Sequence, residues 1–230
     1  MDIKQFQISA EKLKESKLNS LINKVLVLYV IKKANDIPTL LEGKIKFQKV
    51  FFLSELMIEQ ERIQALTFRY FRYNYGPFSK NLIETFEDME MHGFVKGSLS
   101  GNFELTKEGK YLFEVIESSG LYKINSKVIN IVDETIKKYG SKSGPELMNI
   151  VYNMKIPILD LSTHTVVYKE IRSIDAYTDL LPFDFMTYKK NFPISEDLAD
   201  DLLYEFSLTQ EDRESMRKIS PTTFEELFAR

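Results

Sequence analysis

The chain has 230 residues and a formal net charge of −3, and its 43% hydrophobic and 28% charged residues are typical of a globular protein. It has no cysteine and two histidines, which excludes disulfides, a thiol nucleophile and cysteine-bound metal clusters. The longest apolar run, Val25–Ile31, is far shorter than the roughly 20 residues of a membrane-spanning helix. We therefore expect a cytoplasmic protein without membrane contact.

Charge is distributed unevenly along the chain. Residues 1–150 hold 22 Lys and Arg against 19 Asp and Glu, whereas residues 151–230 hold 9 against 15. The first part can therefore present a basic face, but the balance argues against a protein that is wrapped by nucleic acid over its whole surface.

The apolar spacing predicts two helices at the start, over Asn19–Ala34 and Gly43–Gln60. A strand is predicted over Thr67–Tyr75, because β-branched and aromatic residues alternate there. Gly76-Pro77 punctuates it, and Ser79 is a good N-cap for a third helix over Lys80–His92. A short β-hairpin follows, with its strands at 94–98 and 103–106.

The second part is predicted to be mainly helical. Ser119–Asn125 is predicted to be a linker, and Lys155–Phe192 to be extended or loop structure with a short helix near Val166–Ile171. Tyr177–Phe192 is aromatic and interrupted by proline, so it is either an interaction loop or a segment packed across the core. A helix at 110–118 ends the first part, and the helices predicted in the second part lie at 126–139, 144–152, 195–206 and 210–218.

The order helix, helix, strand, helix, hairpin is typical of a winged helix. We therefore predict a mostly α (α+β) fold with a winged-helix-like core, a small β-hairpin wing and a helical C-terminal extension packed on the core. The predicted domains are residues 1–120 and 121–230.

Four motifs resemble those of the Panacea domain, the SocA-like antitoxin group, and of the similar YwgA-like proteins. The resemblance covers about residues 20–118, with a weaker similarity over Pro145–Met154. The motifs are Lys46-Phe47-Gln48-Lys49, Tyr75-Gly76-Pro77-Phe78-Ser79, Gly93-Phe94-Val95 and Leu105-Thr106-Lys107-Glu108-Gly109.

The resemblance implies a small winged-helix-like fold without known catalytic chemistry. It also implies an antitoxin or regulator that contacts a partner protein, in some members as an adaptor for a protease. Our leading hypothesis is a non-enzymatic antitoxin-like or regulatory protein whose partner is a toxin or a regulatory target. The alternative is a DNA-binding winged-helix transcriptional regulator.

The Tyr75–Ser79 motif has two compatible interpretations: a sharp turn with a helix cap, or the start of a recognition helix that presents Ser79, Lys80 and Asn81. Four acidic residues in that helix would repel phosphates, so it has either a solvated face or an interface for a basic partner. The candidate partner or nucleic-acid contacts are Lys46, Lys49, Arg69, Arg72, Tyr73, Tyr75, Ser79, Lys80, Asn81, Lys96 and Lys107.

Catalytic, cofactor and metal sites are not expected. Neither His92 nor His164 has acidic neighbours at metal-ligand spacing, and no glycine-rich phosphate loop or nucleophile motif is present. The sequence leaves the oligomeric state open.

Overall fold

The computed structural model describes residues 3–36, 41–97, 101–160, 163–180 and 190–219. These residues form a mostly helical fold with short strands. The helices are α1 (Ile3–Asn35), α2 (Gly43–Gln60), α3 (Lys80–Met91), α4 (Lys107–Ser118), α5 (Leu121–Ile124), α6 (Ser126–Tyr139), α7 (Gly144–Tyr152), α8 (Glu196–Ser207) and α9 (Gln210–Ile219). The strands are β1 (Ile63–Gln64), β2 (Tyr70–Tyr73), β3 (Gly76–Phe78), β4 (Val95–Lys96), β5 (Glu104–Leu105), β6 (Lys155–Asp160), β7 (Thr165–Glu170), β8 (Asp179–Leu180) and β9 (Lys190–Asn191).

The strands form small, separate sheets. Antiparallel pairing joins β3, β2 and β8 in that order, β4 to β5, and β6 to β7, whereas β1 and β9 pair in parallel. An isolated antiparallel bridge also joins Glu42, just before α2, to Asn102, just before β5. The sheets therefore attach segments to the helices rather than forming a central layer.

The core is aromatic where α2, α3 and the β4–β5 hairpin meet. The ring of Phe47 stacks on Phe103 at 4.5 Å, and Phe86 meets both rings edge-on. All three are buried, and burying one such side chain stabilises a fold by roughly 2–3 kcal/mol. Much of the chain's large phenylalanine content thus fills the core.

Helix α1 begins well before the predicted Asn19. Its first half is polar and lacks the apolar periodicity on which the prediction rested. Leu18 packs on the core, and an ion pair joins Lys14 to Glu196 at the start of α8. The first half of α1 thus contacts α8, and its apolar spacing alone does not predict that it is helical.

The β2–β3 hairpin corrects the predicted strand over Thr67–Tyr75. The strand ends at Tyr73, the turn lies at Asn74 and Tyr75, and Gly76–Phe78 returns as a paired strand. Gly76-Pro77 is therefore not the turn. Pro77 fits a strand here because β3 lies at the edge of its sheet, where a missing N–H is tolerated.

Two predictions for the second part were wrong. The predicted linker contains α5, where Tyr122 is buried with its ring 4.9 Å from that of Tyr29. The extended structure predicted from Lys155 is present as the β6–β7 hairpin, but the short helix predicted near Val166–Ile171 is wrong, because β7 runs to Glu170 and a 3₁₀ turn follows at Ile171–Ser173. Valine and tyrosine favour strands, and the C-terminal extension is therefore not purely helical.

Other local predictions are confirmed. Helices α2, α6 and α7 have the predicted bounds, and Ser79 caps α3 by accepting a hydrogen bond from the Leu82 N–H at 3.2 Å. Helix α6 packs on α2 and joins the second part to the first; the domain boundary near residue 120 stays a prediction. No helix in the described ranges is long and apolar enough to cross a membrane.

Candidate functional site

The first two turns of α2 hold the β3 strand in place through two side chains. The Gln48 side chain accepts from the Ser79 N–H at 2.8 Å and donates to the Ser79 carbonyl at 2.9 Å. The Lys49 ammonium donates to the Pro77 carbonyl at 2.7 Å. The Lys-Phe-Gln-Lys motif of α2 and the Tyr-Gly-Pro-Phe-Ser motif are therefore direct structural partners.

Lys49 is a buried cation, with only 3% of its surface exposed. Burial lowers the pKa of its ammonium to about 7, and the Arg72 guanidinium contributes as a second, smaller cause. The Pro77 carbonyl is its one hydrogen-bond acceptor among the residues that the structure describes. The Lys49 ammonium therefore lies beside the Pro77 carbonyl and near a second cation, Arg72. It loses its proton near neutral pH, because its pKa is about 7.

Gly76 lies against the end of the buried Lys49 side chain. Its φ of +91° is in the region that favours glycine, and a Cβ there would lie 3.5 Å from both Cε and Nζ of Lys49. The Tyr152 ring closes the same space from α7, and its hydroxyl donates to the Asn74 carbonyl at 2.6 Å. The end of the lysine side chain thus lies in a fitted slot under the hairpin.

A small pocket opens beside Lys49. Its volume is about 270 Å³, and its walls are mainly apolar. Tyr75, 58% exposed, and Ile45, 40% exposed, lie among its lining residues, and the Lys44 ammonium lies 5.3 Å above the Phe78 ring. The residues that line it further include Gln48, Tyr73 and Pro77. The site thus combines an apolar cavity with two lysines.

The outer side of the hairpin carries a group of aromatic rings, which we call the hairpin surface: Phe71, Tyr73, Tyr75, Phe78 and Tyr177. Phe71 and Phe78 are cross-strand partners with ring centroids 5.4 Å apart. Tyr177 is 71% exposed, and its ring lies 5.8 Å from that of Tyr73. The surface is therefore continuous and partly accessible to solvent.

Tyr177 reaches this surface from a distant part of the chain. Its N–H donates to the Arg72 carbonyl at 2.7 Å, and its φ of +66° is unusual for a residue with a bulky side chain. It opens the segment Tyr177–Phe192 that the sequence singled out, of which residues 181–189 lie outside the described ranges. The Tyr177 end of that segment is exposed and lies against the β2–β3 hairpin; its role as an interaction loop stays a prediction.

The two predicted arginines lie on the same hairpin. Arg69 is exposed and lies 3.5 Å from the Asp179 carboxylate, a surface ion pair of small energetic value. Arg72 donates to the Tyr73 carbonyl, and its guanidinium lies 5.1 Å from the centre of the Tyr152 ring. Arg69, Arg72, Tyr73 and Tyr75 thus lie on or next to the hairpin, and Lys49 lies beside it; their role as partner contacts stays a prediction.

The remaining predicted contacts are either buried or located on other elements of the fold. Ser79 is fully buried as a helix cap, and Lys46 is 4% exposed. Burial lowers the pKa of Lys46, and the Glu42 carboxylate opposes that shift in part. Lys96 lies on the separate β4–β5 hairpin, 3.2 Å from Glu104, and exposed Lys107 begins α4. These residues do not form one basic rim with the β2–β3 hairpin.

The exposed side of α3 is acidic. Lys80 at its start is paired with Glu84 at 2.6 Å, and Asn81 is exposed beside it. Glu84, Glu87 and Glu90 are exposed along the rest of the helix. A phosphate backbone placed against this face would meet several carboxylates and a lysine that is already paired.

Sequence reasoning missed Gln48 and Tyr152 as parts of the site. Gln48 lies in the Lys-Phe-Gln-Lys motif, which was the available signal, but its partner Ser79 is 31 residues away in the sequence. Within the described part of the chain, no group of three or more His, Cys, Asp or Glu side chains is placed to hold a metal ion.

Residues 47–157 match the family model for the SocA-like antitoxin Panacea domain. The match runs from the first turns of α2 through the β2–β3 hairpin, α3 and the β4–β5 hairpin to β6, so it ends later than the resemblance predicted and leaves α1 outside. No curated protein and no solved structure matches the chain. Over residues 47–157 the chain is therefore similar to the SocA-like antitoxin Panacea domain, the family that its motifs resemble.

Proposed function

We propose that the chain is a non-enzymatic antitoxin-like or regulatory protein that binds a partner protein, such as a toxin, through the hairpin surface. The observation that carries the proposal is a partly exposed aromatic surface, four of whose five residues lie in the segment that matches an antitoxin family; Tyr177 reaches it from outside that segment. Tyrosine and arginine are enriched among the residues that dominate the energy of protein interfaces. Tyr73, Tyr75 and Arg69 supply both types on one hairpin.

The anchoring of this hairpin supports the same function. Gln48 and Lys49 fix β3 to α2, and Tyr152 fixes the turn to α7. A surface that is rigid before binding loses less conformational entropy when a partner docks. An exposed aromatic group on a firmly held hairpin is therefore suited to recognition.

We further propose that α1, α2, α3 and the β4–β5 hairpin form a winged-helix arrangement. The order of these elements and the bridge between Glu42 and Asn102 support it, because the bridge adds a third strand position beside the wing. In this arrangement the β2–β3 hairpin is inserted in the connection between α2 and α3, where its surface is available to a partner.

The DNA-binding alternative receives less support from the charges. The exposed carboxylates of α3 disfavour insertion into a groove, and Lys80 and Lys96 each have a carboxylate partner. Its test is direct: DNA affinity that falls steeply as salt rises, and that is lost on charge reversal at Lys80, Arg72 and Lys96, would replace the protein-binding proposal.

The central experiment compares capture of partners by three forms of the tagged full chain in its native host. The wild type should retain a stoichiometric protein after nuclease treatment, and Tyr75→Ala combined with Tyr177→Ala should lose it. Tyr204→Ala, which removes an exposed tyrosine from α8, is the matched control and should retain it. Equal retention by the double variant, or loss of the partner on nuclease treatment, would contradict the proposal.

A further inference from the structure

We propose that the pocket beside Lys49 receives the C-terminal residue of a partner protein, with its large apolar side chain in the cavity and its α-carboxylate on the Lys49 ammonium. This inference rests on the proposed function, because it specifies the partner chemistry at the same hairpin. It follows from the size of the pocket, the position of the lysine and the charges around it.

The size of the pocket favours a single residue. Pockets for drug-sized small molecules have volumes of about 300–1,000 Å³, whereas this pocket has about 270 Å³. Interfaces commonly place one aromatic or aliphatic anchor side chain in such a well-packed cavity. The apolar walls formed by Ile45, Tyr73 and Phe78 fit an anchor of that kind.

The charges around the pocket favour a carboxylate. Lys44 and Lys49 line it, and Arg72 acts on Lys49 as a like charge, whereas no acidic residue is among the lining residues described. The other titratable groups facing Lys49 are the phenols of Tyr73, Tyr75 and Tyr152. An ammonium has three N–H donors, and the Pro77 carbonyl takes one of them. An entering carboxylate would supply both the missing negative charge and an acceptor.

The position of Lys49 favours the end of a chain over an internal acidic residue. Because Lys49 is buried in the wall of a one-residue pocket, the carboxylate has to belong to the same residue as the apolar side chain. A C-terminal residue carries both groups on one Cα. An internal Asp or Glu would have to enter in place of the apolar anchor or beside it.

Binding should take up a proton. The pKa of Lys49 is about 7 in the free protein, and a bound carboxylate favours the charged ammonium and raises that pKa. Affinity for the carboxylate should therefore fall as the pH rises above about 7, by up to tenfold per pH unit.

The test uses N-acetylphenylalanine as a mimic of a C-terminal residue, with its neutral amide and acetyl-Phe-Asp-amide as comparison probes. Binding to the full chain is followed by NMR, through the backbone signals of Tyr75 and Gly76 and the ¹³Cε signal of Lys49. A fragment of this size is expected to bind with a dissociation constant of about 1 mM. The acid should bind at pH 6.5 at least tenfold more tightly than either neutral-ended probe, and should raise the pKa of Lys49.

Two variants make the result specific. Lys49→Met should abolish the preference for the acid over its amide, and Lys110→Met, which removes an exposed lysine of α4, should preserve it. Equal affinity of acid and amide, equal affinity of acetyl-Phe-Asp-amide, or no saturable shift at about tenfold the expected dissociation constant would overturn the inference. Capture of a partner that depends on Tyr75 and Tyr177 would survive such a result, so failure of the pocket is distinguishable from failure of the proposed function.

Discussion

Two glycine-containing motifs of the matched segment use the space of a missing side chain in opposite ways. In Leu105–Gly109, a Cβ on Gly109 would lie 1.9 Å from the Phe94 carbonyl oxygen, so the backbone just before β4 fills that space. In Tyr75–Ser79, the nearest atoms to a Cβ on Gly76 are the flexible end of Lys49 at 3.5 Å. The first motif closes the fold, whereas the second leaves a buried amine beside an open pocket.

In Leu105–Gly109, which we call the closed motif, the hydrogen bonds of Thr106 are made within the fold. Tyr75–Ser79 is called the open motif. Thr106 caps α4 by accepting from the Gly109 N–H at 3.0 Å, and its hydroxyl donates to the Gly93 carbonyl at 2.6 Å. Each polar atom in these contacts has its partner inside the motif region. These contacts join the start of α4 to the backbone before β4, so the motif stabilises the fold. In Tyr75–Ser79, by contrast, the Lys49 ammonium uses one of its three N–H donors on the Pro77 carbonyl, and the candidate site lies beside it.

The largest effect is expected from Gly109→Ala. The new Cβ overlaps a backbone carbonyl that cannot move without disturbing β4, so we expect a loss of about 3 kcal/mol or more in the free energy of unfolding. The better helix propensity of alanine, about 1 kcal/mol, does not offset this loss. Chemical denaturation measures it.

Gly144→Ala is the matched control for that variant. A Cβ there meets only Ile45 Cγ2, at an ordinary 3.9 Å, so its stability should stay within about 0.5 kcal/mol of the wild type or increase. Similar losses in the two variants would show that steric overlap with Phe94 is not the reason for glycine in the closed motif.

Gln48→Ala should have the next largest effect. It leaves the buried N–H and carbonyl of Ser79 without their partner, which costs about 2–3 kcal/mol in the free energy of unfolding. Gln60→Ala, at the exposed end of the same helix, should cost less than about 0.5 kcal/mol. If the two variants unfold at the same denaturant concentration, the two hydrogen bonds between Gln48 and Ser79 do not contribute to the free energy of unfolding.

Features of the fold that depend only on residues close together in the sequence were predictable. The bounds of α2, α6 and α7 and the Ser79 cap follow from apolar spacing and cap chemistry within one or two turns. Extended structure was predicted from Lys155, but a short helix was predicted near Val166–Ile171, although Val166, Val167 and Tyr168 favour a strand. In that segment prolines and aromatic residues obscured the alternation that marks strands.

The candidate site was only partly predictable. Tyr73, Tyr75 and Arg72 were selected by residue type and lie on the hairpin, but Lys49 was expected to be a surface contact and is buried. Three features of the site depend on contacts between segments that are distant in the sequence: the hydrogen bonds of Gln48 to Ser79, the packing of Tyr152 beside Lys49, and the ring contact of Tyr177 with Tyr73. Local pattern contains no information on such pairing, which tertiary packing decides.

Lys49→Met tests the open motif through its pH dependence. Between about pH 7 and pH 10 the unfolded chain keeps a proton on Lys49 that the folded chain has released, so the wild type gains about 1.4 kcal/mol of stability per pH unit. The variant lacks this gain. Its stability relative to the wild type should therefore be greatest below about pH 7 and decline as the pH rises.

The slope is the decisive quantity for this variant, because the Pro77 carbonyl loses its donor at every pH. Denaturation at a series of pH values from about 6 to 9.5 measures it, with Lys110→Met as the control that should follow the wild type. A constant difference between Lys49→Met and the wild type would show that Lys49 titrates at its ordinary pKa, and the contrast between the closed and open motifs would then lose its chemical basis.

Tyr75→Ala should have the smallest effect on stability and thereby separates folding from recognition. The side chain is 58% exposed, so its removal should change the free energy of unfolding by less than about 0.5 kcal/mol. At the rim of the pocket, however, loss of an aromatic side chain that is a hot spot of the interface weakens binding by about 2 kcal/mol, or roughly thirtyfold. The affinity for a purified partner measures this, and Tyr204→Ala should leave it unchanged. A variant with reduced stability and full affinity would assign Tyr75 to the fold, and would move the recognition surface away from the open motif.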